Sequence, residues 1–230
     1  MKRAVLLLLL LTSTGLIARQ EAPQRLFEAG KYQELVSLVG DKRDQGPVEP
    51  EWTYLAGHSY LKMNDRRAAK DEFARLEALD ESVWKDIGES AKRLAERDDD
   101  AALKAATRAV KADADHLYAN FQLGLAYVHT SNFAKAADVF AKATQIDPRF
   151  AYAYYYAGHA YYKAKRLDQM AKYWATFLKL APEAPERVAV ESIMKTVRGK
   201  SYRSFQFSVV SFQYQIAAFL AAFRPLRPDN

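Results

Sequence analysis

The sequence predicts an all-α fold built from repeated units, and three observations support this prediction. Half of the 230 residues are hydrophobic, enough to bury a core, while glycine and proline are scarce. Aromatic residues are plentiful, with 14 tyrosines and 12 phenylalanines. Small and aromatic residues also recur along the chain at fixed intervals, which indicates a repeat architecture.

The repeat is visible in three columns of residues that share one spacing. Gly57, Gly124 and Gly158 are separated by 67 and then by 34 residues. We interpret the longer interval as one unit of 34 residues and one of 33. Agreement between independent columns at one period is a specific indication of a repeat protein. The same two intervals separate Tyr60, Tyr127 and Tyr161, and again Phe73, Phe140 and Trp174.

These columns resemble the pattern of the tetratricopeptide repeat (TPR) family, whose unit consists of two antiparallel helices followed by a proline. Residues 117–150 form the clearest copy, and residues 151–184 and 50–83 keep most of the pattern. Residues 84–116 form a degenerate copy, whose first helix lacks the repeat glycine. The clearest copy carries Leu123, Gly124, Tyr127, Ala136, Phe140, Ala143 and Pro148.

The resemblance implies an all-α, TPR-type solenoid of antiparallel helix hairpins. Glycine and alanine allow two helices to approach closely, and the aromatic residue one turn further on fills the space between neighbours. A single hairpin cannot bury its apolar face, so about three units are needed for stability. We therefore expect one array over residues 50–198, in which residues 185–198 form a capping helix.

The first 18 residues predict a signal peptide. Lys2 and Arg3 precede an apolar segment of about 15 residues that includes six consecutive leucines. This segment is shorter than the roughly 20 residues that cross a bilayer, which favours a removed signal over a permanent anchor. Cleavage is expected after Ala18. An uncleaved anchor remains an alternative, because Leu16 is large for its place near the cleavage site.

Residues 19–49 are expected to form a truncated first helical hairpin followed by a loop. Gly30, Tyr32 and Leu35 fit the turn and the second helix of a TPR unit. The resemblance to the family thus begins before the array of complete copies.

The sequence supplies no set of residues for catalysis, so we expect a protein without enzymatic activity. The absence of cysteine excludes disulfides, thiolate metal sites and cysteine nucleophiles. No glycine-rich phosphate loop or hydrolase motif occurs. The acidic run 98–100 lacks the spacing of a calcium loop and fits a helix start instead. We expect neither a cofactor nor a metal.

Charge argues against nucleic acid as a partner. Lysine and arginine number 34 against 28 aspartates and glutamates. The two signs are interspersed along most of the chain, whereas nucleic-acid binding is typical of a basic block or face.

The resemblance also implies a concave groove on the first helices of the hairpins. Large rings with polar tips suit a surface that binds a peptide or a helix. The alternative for any one tyrosine is packing between adjacent hairpins. Family members that bind acidic chaperone tails carry a basic clamp where this sequence has Tyr54 and His58, so such a tail is not supported. The predicted groove residues are Tyr54, His58, Tyr118, Phe121, Leu125, His129, Tyr152, Tyr155, His159 and Tyr162.

Residues 199–230 form an apolar, amphipathic tail, in which residues 205–223 carry no charge. Their apolar residues fit helical spacing, and shorter segments alternate as strands would, so periodicity does not decide between the two. We rank an added packing helix first, a membrane or partner contact second, and disorder third. One hypothesis is that the tail covers the groove positions Phe121, Tyr155 and Tyr162 until a partner displaces it.

Together these features predict a protein-interaction scaffold or adaptor of the cell envelope that binds a peptide or helix in the TPR groove. The predicted signal, the absence of cysteine and the absence of an N-glycosylation sequon favour the bacterial periplasm. The alternative is a membrane-associated envelope component, tethered by the C-terminal tail or by an uncleaved signal. The expected partner is another protein or peptide of unknown identity.

Overall fold

The computed structural model of the chain describes residues 22–80 and 82–197. These residues form helices joined by short turns, and no strand occurs among them, which confirms the predicted all-α fold. They divide into two units, one ending at Pro185 and the other beginning at Glu186. The predicted signal peptide (1–18) and apolar tail (199–230) lie outside these ranges.

The part of the first unit that the structure describes consists of five consecutive helix hairpins, as expected for a TPR solenoid. In the second unit, residues 187–197 are helical. The hairpins are α1 (Ala22–Glu28) with α2 (Tyr32–Gln45), α3 (Pro50–Lys62) with α4 (Arg66–Glu77), α5 (Val83–Glu96) with α6 (Asp99–Ala112), α7 (Leu117–His129) with α8 (Phe133–Ile146), and α9 (Ala151–Lys163) with α10 (Leu167–Leu180).

The five hairpins share one type of turn, in which the chain passes through the left-handed region. This conformation ends the first helix and lets the second run back against it. The turn residues Asn64, Arg97, Ser131 and Lys165 have φ between 58° and 65°. Gly30 takes the same place between α1 and α2, with φ of 73°. Residues 19–49 therefore contain a hairpin of the same kind as the others.

The repeat glycines allow the two helices of a hairpin to touch. A Cβ atom added at Gly57 would lie 2.3 Å from the ring of Phe73, and one at Gly124 would lie 2.5 Å from Phe140. Gly158 has the same relationship with Trp174, at 2.3 Å. Each aromatic ring thus occupies the space that a side chain would need.

The degenerate third hairpin has its own close contact, which sequence comparison of the columns did not predict. In the column of Gly57 and Gly124 it carries Ser90, which is fully buried. Gly88 instead lies against α4, where an added Cβ would be 2.5 Å from the Cβ of Leu76 and 2.7 Å from the backbone nitrogen of Glu77. Gly88 lies two positions before the repeat column, and its close contact joins two hairpins instead of the two helices of one hairpin.

The first hairpin contacts the fifth. The ring centroids of Phe27 and Tyr152 are 4.9 Å apart, and the hydroxyl oxygens of Tyr32 and Tyr152 are 3.3 Å apart. In a simple solenoid each unit touches only its neighbours. The contact between the first and fifth hairpins is therefore a tertiary feature of the first unit that the repeat pattern alone does not specify.

Candidate functional site

The first helices of the later hairpins contact one another through aromatic rings. The ring of Tyr118 on α7 lies 5.1 Å from that of Tyr54 on α3 and 5.4 Å from that of Trp84 on α5. Phe121, one turn further along α7, lies 5.5 Å from Tyr156 on α9. These rings form a packed cluster between α3, α5, α7 and α9.

Hydrogen bonds tie the same helices together. The Tyr54 hydroxyl donates to Oε1 of Gln122 over 2.8 Å, and Nε2 of Gln122 donates to the Ser90 hydroxyl over 3.1 Å. The Tyr118 hydroxyl donates to Oε1 of Glu51 over 2.7 Å. Burial raises the pKa of Tyr54 and of Tyr118 well above the ordinary tyrosine value, which keeps both hydroxyls protonated as donors.

Four of the predicted groove residues belong to this interior. Tyr54, Tyr118, Phe121 and Tyr152 are all buried. They offer no surface to a partner in this arrangement, which corrects the expectation of an accessible aromatic groove at these positions. The physical reason is that rings on opposing helices are long enough to meet and exclude water.

Of the other predicted positions, Leu125 is also buried, and the rest, near the C-terminal ends of the first helices, are more accessible. His58 and Leu125 reach the wall of a pocket, together with the exposed His129. Tyr162 is exposed and lies 5.9 Å from the ring of Trp174, outside that pocket. The half-buried Tyr155 and His159 also lie elsewhere: Tyr155 packs on Tyr152 and Phe177, and His159 is one turn before Lys163.

The pocket, which we call the inner pocket, has a volume of about 380 Å³. It is formed by the last turns of α3, α5 and α7, by the turn that follows α3, by the first residue of α4, and by one ring from α9. Its size is that of a site for a few side chains of a ligand. Its walls are His58, Leu61, Lys62, Asn64, Arg66, Ala91, Leu94, Ala95, Leu125, His129 and Tyr156.

Basic groups and no carboxylate line the inner pocket among the residues that the structure describes. Lys62 and His129 stand in the last turns of α3 and α7, where the helix dipole favours positive charge. The Lys62 ammonium lies 5.2 Å from the ring centroid of Tyr152. His129 Nδ1 is 3.2 Å from Oδ1 of Asp99, which is not a wall residue.

His58 contributes an uncharged ring to the pocket wall. Its Nε2 atom is buried and has no hydrogen-bond partner within the described residues. Its ring is packed between Tyr54, at 4.4 Å, and Phe73, at 5.3 Å. Burial and the nearby charge of Lys62 lower the pKa of His58 to about 3, so the ring is neutral at pH 7.

Several pocket residues were not predicted from the sequence. The repeat columns could have identified some of them in the degenerate copy. The column that contains His58 and Leu125 passes through Ala91 in the degenerate copy. Extending the concave positions through that copy would have added Ala91, Leu94 and Ala95. Arg66 could not have been found in this way, because it lies on the second helix of its hairpin.

Two features that would indicate a metal site or a membrane span do not occur in residues 22–80 and 82–197. They contain no group of three or more His, Cys, Asp or Glu side chains that could hold a metal ion. They also include no helix with the length and apolar character needed to span a membrane.

Comparisons with known proteins agree with the geometry. A family model described as Tetratricopeptide repeat matches residues 117–150. No curated protein sequence matches significantly. The structure of TTC0263, a thermophilic TPR protein of Thermus thermophilus, is similar at a TM-score of 0.56 and 20% identity, covering 75% of this chain and 97% of that one.

Two further structures are similar at lower TM-scores. MamA from Desulfovibrio magneticus RS-1 has a TM-score of 0.43 and 20% identity over 70% of this chain and 92% of its own. YrrB, titled a TPR protein with an unusual peptide-binding site, has a TM-score of 0.47 and 20% identity over 73% of this chain and 87% of its own. At these identities the similarities concern the fold.

Proposed function

Because the chain is a tetratricopeptide-repeat protein, we propose that it is a scaffold that binds a segment of another protein, and that the inner pocket is its binding site. The proposal rests on one observation: Lys62 and Arg66 share a pocket with Leu94 and Leu125, and no aspartate or glutamate is among the described residues that line it. TPR solenoids present concave surfaces of this kind to peptides and helices.

The chemistry of the walls defines the class of partner. Apolar side chains of the ligand would contact Leu61, Leu94 and Leu125, while an acidic group would pair with Arg66. We therefore propose a segment that carries a carboxylate next to apolar side chains. Arg66, at the start of the second helix of its hairpin, supplies the positive charge that Tyr54 and His58 do not.

We also propose that the protein is non-catalytic, and two features of the inner pocket support this. A general base works best with a pKa near the working pH, and burial keeps the pKa of His58 far below it. The described pocket walls contain no serine, threonine, aspartate or glutamate that could act as a nucleophile or acid.

For the location, we propose the cell envelope and specifically the bacterial periplasm. The basic and leucine-rich start of the chain supports export, and the absence of cysteine agrees with it. The second candidate is an envelope component attached to the membrane, and the uncharged stretch 205–223 favours it. Carbonate extraction of membranes distinguishes them, because a tethered protein stays in the pellet.

Site-specific crosslinking tests the proposed site. We would place the photoreactive residue p-benzoylphenylalanine at Leu61 in the pocket wall, and in a matched protein at Lys104, which is exposed on α6. Illumination in native envelopes should give a discrete adduct from position 61 and none from position 104. The adduct from position 61 should then disappear when Arg66→Glu is added.

The neighbouring Arg67→Glu is the matched control, because Arg67 is also exposed and at a helix start but is not a wall residue. It changes the net charge equally and should leave the adduct intact. Equal loss with both substitutions would mean that only overall charge matters, and the inner pocket would be rejected as the site.

A further inference from the structure

The N-terminus of α9 is capped by a side chain from the first hairpin. The first amides of a helix have no partner within that helix. At α4 and α6 a local side chain is the partner: Asp65 accepts from the Ala68 amide and Asp98 from the Ala101 amide. At α9 the N-cap residue makes no side-chain bond. Instead, the Ala151 amide donates to Oε1 of Glu28 over 2.7 Å.

An aromatic contact accompanies this bond. Phe27, the residue before Glu28, is buried and lies 4.9 Å from the ring of Tyr152, the residue after Ala151. The Tyr32 ring lies 5.6 Å from Phe27, and its hydroxyl oxygen is within hydrogen-bond distance of that of Tyr152. Two adjacent residues of α1 thus occupy two adjacent positions at the start of α9.

The turn of the first hairpin also touches the end of the fifth. A Cβ atom added at Gly30 would lie 3.0 Å from Cδ of Pro185. The junction is nevertheless incompletely filled, because a cavity of about 450 Å³ lies between it and the segment 180–183. Glu28 is only 8% exposed, and burial raises its pKa to about 7. Loose packing and a desolvated carboxylate both favour local opening.

From these contacts we propose that the start of α9, together with Pro185, is a docking face for a helix that presents an aromatic residue followed by a carboxylate, and that the first hairpin occupies this face as an internal ligand. A partner helix of the same pattern competes with the first hairpin for it. The docking face is defined by Ala151, Tyr152 and Pro185.

The docking face adjoins the inner pocket, so replacement of the first hairpin by a partner helix would also change the border of that pocket. Tyr152 contacts Lys62 through the cation–π contact at 5.2 Å and Tyr156 at 6.2 Å between ring centroids. Lys62 and Tyr156 are both walls of the inner pocket. Release of Phe27 therefore uncovers a ring that borders the pocket. The docking face itself does not depend on what the inner pocket binds.

The chain lacks cysteine, so one engineered disulfide can hold the first hairpin in place. In Gly30→Cys with Pro185→Cys, the two Cβ atoms would be 3.8 Å apart, within the range of about 3.5 to 4.5 Å found in disulfides. The oxidised full-length variant is closed, and its reduced form can open. Any strain from the positive φ of Gly30 is common to both forms.

The probe is a fluorescein-labelled peptide of residues 22–45, and fluorescence anisotropy measures its binding. The reduced variant should bind it about tenfold or more tighter than the oxidised variant, because the internal ligand no longer holds the face at high effective concentration. A probe with Phe27→Ala and Glu28→Ala should lose that binding. Equal binding to both forms, or no binding to either, overturns the proposal.

Hydrogen exchange of the wild-type chain gives a second test that needs no substitution. The Ala151 amide should exchange about a hundredfold faster than the Leu123 amide in the middle of α7, because opening of the first hairpin precedes global unfolding. In the oxidised variant this difference should shrink about tenfold or more. Equal protection of the two amides in the wild-type chain would show that the first hairpin opens only with the whole array, and would also overturn the proposal.

Discussion

The hydroxyl of Tyr54 on α3 donates a hydrogen bond of 2.8 Å to Oε1 of Gln122 on α7, and both residues are buried. The bond joins helices of the second and fourth hairpins, 68 residues apart in sequence. Because Gln122 also donates to Ser90, the pair connects three hairpins and restricts how far the array can open.

Removing the Tyr54 hydroxyl should lower the stability of the folded chain. Tyr54→Phe leaves the buried Gln122 oxygen without its donor, which should lower the free energy of unfolding by about 1 to 3 kcal/mol. Urea denaturation followed by circular dichroism measures the change. Tyr162→Phe is the control, because the exposed Tyr162 should change stability by less than about 0.5 kcal/mol. Equal effects of the two substitutions would contradict the network.

Substitution by alanine should change stability in opposite directions at Gly124, where two helices touch, and at Gly40, where they do not. Gly124→Ala should destabilise the chain by about 1 to 3 kcal/mol, because the new methyl group would overlap the Phe140 ring. Gly40→Ala in α2 should stabilise it by about 0.5 to 1 kcal/mol, since no described atom lies within 4 Å of the added Cβ. Thermal unfolding distinguishes the two, and a stabilising Gly124→Ala would show that our register is wrong.

The lowered pKa of His58 predicts that this residue reduces stability in acid. Its folded-state pKa of about 3 lies below the ordinary value of 6.5, so the stability from its neutral form is complete above pH 6.5 and falls as the pH drops towards 3. Between pH 7 and pH 4.5 the wild-type chain should lose about 2.5 kcal/mol of stability relative to His58→Leu, because other titrating groups contribute equally to both proteins. His58→Leu copies the residue at the equivalent position 125, and urea denaturation at each pH measures the difference. A constant difference across this range would show that His58 does not titrate in this way.

The raised pKa of Glu28 predicts the opposite dependence of stability on pH. Its pKa is raised by burial and by the charge of Asp147, although the Ala151 amide and Gln24 partly compensate. The stability is therefore complete below the ordinary value of 4.5 and declines as the pH rises through about 7. By pH 8 the wild-type chain should lose about 2 to 3 kcal/mol that Glu28→Gln retains. Parallel pH profiles of the two proteins would contradict this assignment.

The hairpins were predictable because their defining contacts are local. Gly57 and Phe73 are 16 residues apart, on two helices joined by a short turn, so their spacing along the chain reflects their contact in space. The same holds for Gly124 with Phe140. Gly88 escaped prediction because it packs against the preceding hairpin, where the repeat pattern sets no requirement.

The accessible surface was decided by the tertiary structure. A repeat sequence places Tyr54 and Tyr152 on the concave side of their hairpins, but the distance across that side depends on small rotations that accumulate from one hairpin to the next. Here α3 and α7 come close enough for their rings to meet, and the first hairpin reaches Tyr152 across 125 residues of sequence. The sequence alone determined the helices, their pairing and the repeat. The tertiary structure buried Tyr54, Tyr118, Phe121 and Tyr152, and it left the basic inner pocket open, because burial depends on which distant helices meet.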